Sequence, residues 1–380
     1  MLGLYVHVPF CASICNYCNF TRGVFDESLK TRFVDALIRE MHGAAAERED
    51  ESVTRLPADT IYFGGGTPSL LTPAEIGSII DAARASFAVA PDAEITLEAN
   101  PETVDPARLE GFRRAGINRL SYGVQSFSDD DLKRLGRLHS AERAEDAVRM
   151  ARAAGFDNVS LDLMMWLPEQ NVAQWLSSVK RAIAVAPEHM SLYILEVYPH
   201  LPLKQEIDLH RWSQVEDEAA AEMYESSMAM LDAAGYEQYE ISNVAKPGRQ
   251  SLHNLKYWTD GEWWGFGPAA HSTWRGARWR NVTSTDDYVR RIGTGASVVA
   301  ERRDLATDER LGDAVFTGLR LNRGVDLSTL SQRYSVDIWA RFRDRLAPFG
   351  EAGLLVKEGD CIRLTRQGML MANEVMAVFV

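Results

Sequence analysis

Through the first half of the chain, short apolar runs recur, and each is followed by a longer stretch whose apolar residues return every three or four positions. The short runs are "LYVHV" (4–8), "TIYF" (60–63), "EITLE" (94–98), "RLSYGV" (119–124), "VSLDLM" (159–164) and "MSLYIL" (190–195). Their length and composition predict strands, while stretches such as "SLKTRFVDALIREM" and "AEDAVRMARAAG" have the spacing of helices. Helix-start signals agree with this division: Asp26 stands before the first such stretch, and Thr72-Pro73 before "AEIGSIIDAARASF". Gly116 and Gly155 each follow a basic last turn, where a helix commonly ends. Strands alternating with helices imply right-handed crossovers and a parallel sheet. Six units, against the eight of a full TIM barrel, predict an α/β fold built as a partial, six-unit barrel.

The texture changes after Gly235. Five tryptophans fall between Trp258 and Trp279, together with His253 and His271. Such a segment is either core packing or a wall for a flat apolar ligand. From about Asp304, "DERLGDAVFTGLRLNRGVDLSTLSQRY" reads as helix, turn and helix, and "GLLVKEGDCIRLTRQGMLMANEVM" as a hairpin and closing helix. The expected organisation is a core barrel at 1–235, an aromatic-rich segment packing on it at 236–303, and a winged-helix-like C-terminal domain at 304–380.

Composition narrows the function. The chain has 380 residues, is 46% apolar, and carries a formal charge of -13, which disfavours broad attraction to nucleic acid or anionic lipid. No run approaches the roughly 20 apolar residues that span a bilayer. The start "MLGLYVHVPFC" has neither a basic leader nor a small-residue cleavage site, so a cytoplasmic protein with reduced thiols is expected.

Against that background the cysteines stand out. Three of four, Cys11, Cys15 and Cys18, lie in "CASICNYC" with C-x3-C-x2-C spacing. An odd number in so short a loop fits a disulfide framework badly. Structural zinc is the bland alternative, but it normally takes four protein ligands, and no fourth stands at a finger-like distance. Iron–sulfur clusters are also held by closely spaced thiolates, and three of them leave one iron of a four-iron cube open to a small molecule. Cys361, in the strand-like "GDCIRLT", reads as a small core residue. "GGGTPSLL" follows the second predicted strand, and by itself a glycine triplet is either a tight turn or a close approach of backbone to a ligand.

The cysteine spacing, with aromatic Tyr17 before the last cysteine, resembles the signature of radical S-adenosylmethionine (SAM) proteins. The resemblance implies a 4Fe-4S cluster on Cys11, Cys15 and Cys18, and SAM bound at the open iron. In detail the chain is similar to the oxygen-independent coproporphyrinogen III oxidase family, whose barrels are open, six-unit and followed by a small winged-helix-like domain. Glu98 in "TLEANP", Gln125 in "YGVQSF", Arg137 in "LGRLHS" and Asp162 in "SLDLMM" match positions that touch SAM there. Tyr5 and Tyr17 match further cofactor contacts, and Gly65, Gly66 and Thr67 match the stretch that meets the amino end of the cofactor. Read singly, each of these polar residues is better taken as a solvated or ion-paired position; it is together that they match.

The resemblance also points to a branch. Ten residues precede Cys11, and Phe20 stands where the oxidase carries a further cysteine, as in the HemW-type heme-chaperone branch. That branch implies heme binding and delivery to an acceptor protein, an electron donor if a radical is made, membrane contact only through the acceptor, and no nucleic acid. His253-Asn254 and Tyr257-Trp258 form an HNxxYW pattern associated with heme-binding members, making His253 the expected heme ligand. The alternatives are oxidative decarboxylation of coproporphyrinogen and radical methylation of an aromatic substrate. Two stretches depart from the family: "WLPEQN" places Trp166 and Glu169 where glycines are usual, and "YPHLPL" (198–203) replaces an "EPGT"-like segment.

Overall fold

The structure, a computed structural model, describes residues 1–46, 55–209, 211–213 and 215–379. The six predicted strands are present as β1 (Leu2–Val8), β2 (Pro57–Gly65), β3 (Ala88–Ala99), β4 (Arg119–Gln125), β5 (Val159–Met165) and β6 (His189–Ile194). Each is parallel to its sequence neighbour. The helices between them start where the sequence signals them. Thr72 and Glu75 form a capping box at the head of Pro73–Ser86, and the Asp26 carboxylate accepts the Leu29 N–H at 2.7 Å. Gly116 closes Pro106–Ala115 at φ 112°, a left-handed position open to glycine.

Alternation along the strands separates two environments. Leu4, Val6 and Val8 are buried in the apolar core, as are Ile61, Phe63, Leu97, Leu120 and Leu161. The opposite face, lining the barrel, is polar at its N-terminal end: Thr60, Glu94, Arg119, Ser160 and His189 are all buried there. Buried polar groups require partners. His189 bonds Ser160 and Tyr239 at 2.8 and 2.7 Å, and burial keeps its ring neutral.

The segment after Gly235 does more than pack on the barrel. It adds six strands to the same twelve-stranded sheet: β7 (Glu237–Glu240) and β8 (Asn243–Ala245) beyond β6, and β9 (Trp263–Phe266), β10 (His271–Trp274), β11 (Ala277–Asn281) and β12 (Val299–Asp304) beyond β1. β9 runs parallel to β1, so the parallel array exceeds the six units expected. These strands are short and carry glycines and tryptophans, which hides a period of two. The helix Leu252–Trp258 lies at the N-terminal end of the barrel, where the Glu94 carboxylate accepts the Leu252 and His253 N–H groups at 3.2 and 3.1 Å.

The C-terminal region forms helix Thr307–Gly318, a short strand Val325–Asp326, helices Leu327–Tyr334 and Ile338–Glu351, and a hairpin Leu355–Glu358/Cys361–Leu364. The three strands make one antiparallel sheet, giving the winged-helix order of elements. Cys361 is half-buried at the start of the last strand, with its thiol on the Arg323 carbonyl at 3.0 Å. Among the described residues, no helix is long and apolar enough to cross a membrane.

Candidate functional site at the barrel mouth

The cysteine loop leaves the C-terminal end of β1 and folds back over it. Phe10–Cys11 pairs in parallel with Gly23–Val24, which ties the loop shut at its base. His7, the last inward-facing residue of β1, secures it from below: its Nε2–H donates to the Thr21 carbonyl at 2.8 Å, and the Tyr5 hydroxyl donates to Nδ1 at 3.1 Å. Burial lowers the His7 pKa, so the ring stays neutral with its proton on Nε2. Arg22 donates to the Phe20 and Cys18 carbonyls within the loop. Tyr17 packs against a small apolar cluster of Leu135, Met164, Leu167, Leu195 and Leu203, seating the loop on the ends of later strands.

The glycine triplet meets this loop directly. Gly65 has φ +109°, and a Cβ there would lie 2.7 Å from the His7 ring; at Gly66 it would lie 2.6 Å from the Phe10 carbonyl oxygen. The Gly66 and Thr67 N–H groups donate to Val8 and Phe10, each at 2.7 Å. Much of the space left by the missing side chains is therefore filled by protein, and the triplet is first of all a close contact between two loops. The Thr67 hydroxyl points to the Cys11 sulfur at 3.7 Å.

Arg137 reaches the same place from beyond β4. One terminal nitrogen donates to Asn100 Oδ1 at 2.7 Å and the Gly123 carbonyl at 2.6 Å, and the other to the Cys15 sulfur at 3.5 Å. Its Nε–H is buried without a partner. Asn100 also donates to the Thr67 hydroxyl at 3.2 Å, linking the arginine to the glycine turn. Deeper in the barrel, Tyr62 donates to Glu98 at 2.8 Å and Tyr193 to Gln125 at 2.8 Å, while Ser121 approaches Asp162 at 3.3 Å. Gln125 itself has φ +69°, a conformation that turns the chain at the end of β4. Burial, then repulsion from Asp162, pushes the Glu98 carboxyl up to about 7; burial also raises Asp162.

Tyr5, Cys11, Cys15, Tyr17, Cys18, Gly65, Gly66, Thr67, Glu98, Gln125, Arg137 and Asp162 thus converge on the C-terminal end of one barrel. His253 does not. It lies beneath them, toward the N-terminal end of the barrel, 1% exposed, with its ring stacked on Tyr62 and Tyr5 at centroid distances of 5.1 and 6.3 Å and near enough that a Cβ on Gly3 would stand 3.0 Å away. Nδ1 bonds Thr60 at 2.8 Å, Nε2 bonds Tyr257 at 3.0 Å, and burial drives its pKa down to about 3. With both nitrogens engaged and no solvent access, the ring offers nothing to heme iron. The HNxxYW stretch closes the barrel floor instead. Residues not anticipated at the mouth are Asn100, His7, Tyr62 and Tyr193. Asn100 stood in view, two positions after Glu98 in "TLEANP".

The two departures also have structural consequences. Trp166 and Glu169 adopt φ of +63° and +64°, so both occupy backbone conformations suited to glycine. Their side chains hold a neighbouring segment: Trp166 Nε1 donates to the Val215 carbonyl at 2.8 Å, and Glu169 accepts the Ser213 N–H at 2.5 Å. In "YPHLPL", Leu203 donates its N–H to the Asn16 carbonyl at 3.2 Å, against the cysteine loop.

Compared with known proteins, the chain is 34% identical over 380 residues to the heme chaperone HemW of Bacillus subtilis (strain 168), covering 100% of this chain and 99% of that one. It is 34% identical over 385 residues to the heme chaperone HemW of Escherichia coli (strain K12), covering 100% and 98%. The chain belongs to the HemW family. A mitochondrial radical S-adenosyl methionine domain-containing protein 1 from Bos taurus is 33% identical over 389 residues, covering 98% and 86%. Residues 5–182 match the Radical SAM superfamily and residues 305–371 the HemN C-terminal domain. Escherichia coli coproporphyrinogen III oxidase (HemN), described as a radical SAM enzyme, superimposes with a TM-score of 0.86 over 100% of this chain and 89% of that one at 24% identity, which shows a shared fold.

Membership of the radical SAM superfamily implies a 4Fe-4S cluster and SAM, and the mouth of this HemW-family barrel fits both. All three thiols already face a donor, Cys11 the Thr67 hydroxyl, Cys15 the Arg137 guanidinium and Cys18 the Phe20 N–H, which suits sulfur that becomes anionic on binding iron. The unpartnered Arg137 Nε–H is a buried donor waiting for an acceptor such as a carboxylate. Among the described residues, no three His, Cys, Asp or Glu side chains are drawn together as around a single ion. A cube with iron at its corners needs thiolates set wider apart than one ion does.

Proposed function

We propose that this chain is a cytoplasmic heme chaperone that binds a 4Fe-4S cluster, SAM and heme, and hands heme to an acceptor protein. The observation that carries the reading is the full-length likeness to relatives named heme chaperones. The barrel mouth supports its cofactor half. Cys11, Cys15 and Cys18 would hold the cluster, leaving one iron for the amino and carboxylate groups of SAM. The bound cluster supplies single electrons, and with them the ability to cleave the sulfonium.

The remaining chemistry belongs to the protein. Arg137 offers its open Nε–H and a fixed charge to the methionine carboxylate. Glu98 and Asp162 offer carboxylate oxygens to the ribose hydroxyls, with Gln125 beside them. Glu98, poised near neutrality, can accept a hydroxyl hydrogen bond ionised or donate one protonated. Tyr5, through His7, and Tyr17, through the apolar cluster, hold the cysteine loop in place. The winged-helix-like region would serve as a docking or lid element.

The test uses anaerobically reconstituted, full-length protein. Hemin should produce a Soret band at one heme per chain, and coproporphyrinogen with SAM and a reductant should give no vinyl products. Vinyl formation would replace the chaperone reading with the decarboxylase; failure to bind hemin would remove it.

A further inference from the structure

We propose that His271 is the axial ligand to heme iron, on the inward face of the sheet beside the cysteine loop. The inference rests on the heme reading above and gives it a site. Imidazole binds iron through a ring nitrogen that is free and reachable. Of eight histidines, all but His210 lie among the described residues. His7, His139, His189 and His253 use both ring nitrogens in hydrogen bonds. His42 and His200 each use one, to Ser86 and Asn19. The His271 ring has no hydrogen bond among the described residues, and its side chain is exposed.

Its surroundings suit a dicarboxylic, planar, apolar ligand. His271 opens β10 and stands directly opposite Arg280 on β11, with Arg278 two residues along the same face. Partial burial, then the charges of Arg280 and Arg278, lower the His271 pKa, which favours the neutral ring that binds metal, and the same two guanidinium groups suit the propionates of such a ligand. Both arginines also ion-pair, Arg280 with Glu301 at 2.6 Å and Arg278 with Asp313 at 2.9 Å. Trp263 on β9 donates its indole N–H to the His271 carbonyl at 3.1 Å, so an aromatic ring flanks the position. The ring also lies close enough to His7 to affect its basicity, and His7 holds Thr21 of the cysteine loop. That loop leaves Phe20 and Val24 68% and 64% exposed, apolar surface on the same loop that His7 ties down. Heme held here would lie beside the loop that carries the cluster.

Ferric hemin titrated into the cluster-loaded full chain decides the matter, read by Soret position, by the low-spin EPR signal and by affinity. His271→Ala should weaken binding at least about tenfold and abolish the wild-type spectrum, with iron and sulfide content unchanged. His271→Cys should bind with the altered spectrum of thiolate ligation. His253→Ala and His200→Ala should keep the wild-type spectrum. If wild type binds hemin and His271→Ala matches it, or if His200→Ala loses the signal instead, the ligand assignment fails while the chaperone reading stands. If wild type does not bind, both fall.

Discussion

Glu98 sits where cofactor binding and stability oppose each other. Its carboxyl is enclosed with Asp162 in the barrel, and burial together with that second charge raises its pKa from 4.5 to about 7. In the unfolded chain the group ionises near 4.5. Between those two values the native state binds the additional proton, so stability falls as pH rises from about 4.5 to about 7 and is level above. The rise corresponds to up to about 3 kcal/mol at pH 8. Glu98→Gln removes the ionisation but keeps an oxygen for the Tyr62 hydroxyl, now 2.8 Å away. In the absence of SAM, the variant should exceed wild type in stability by about 1–3 kcal/mol at pH 8, and the two should converge by pH 5. Urea midpoints of cluster-loaded protein at pH 5, 6, 7 and 8 give the comparison. The same change should weaken SAM binding, because a carboxylate is replaced by a weaker acceptor. A difference independent of pH, or a variant less stable than wild type at pH 8, would refute the argument that an enclosed carboxylate pair is being held against its own repulsion.

Arg137→Lys keeps a positive charge but removes the buried, open Nε–H; SAM affinity measured by calorimetry should drop about 10- to 100-fold with iron content retained. Gly65→Ala puts a methyl group 2.7 Å from the His7 ring at a left-handed φ, so the two loops should separate, and iron and sulfide per chain should fall after reconstitution. Thr60→Val leaves the buried Nδ1 of His253 without its partner and should destabilise the fold by about 1–3 kcal/mol in urea, with hemin affinity unchanged. Altered hemin affinity in that variant would return the barrel floor to the heme site.

What sequence alone determined was everything carried by near neighbours. The strand and helix alternation, the Thr72-Pro73 and Gly116 boundaries and the C-x3-C-x2-C loop are local, because period, capping and loop closure act within a few residues. Placing Glu98, Gln125 and Asp162 at one end of the barrel followed from the rule that parallel strands present their C-terminal ends together. Tertiary structure alone decided which groups found partners. His253 and His271 lie in one aromatic-rich segment, yet one is sealed between Thr60 and Tyr257 and the other is open. The glycine triplet needed His7 and Phe10 across the fold to show what its missing side chains make room for. β9 to β12 took their place by pairing beside β1, more than 250 residues earlier in the chain. Burial and pairing are properties of distant segments brought together, so no local pattern could express them.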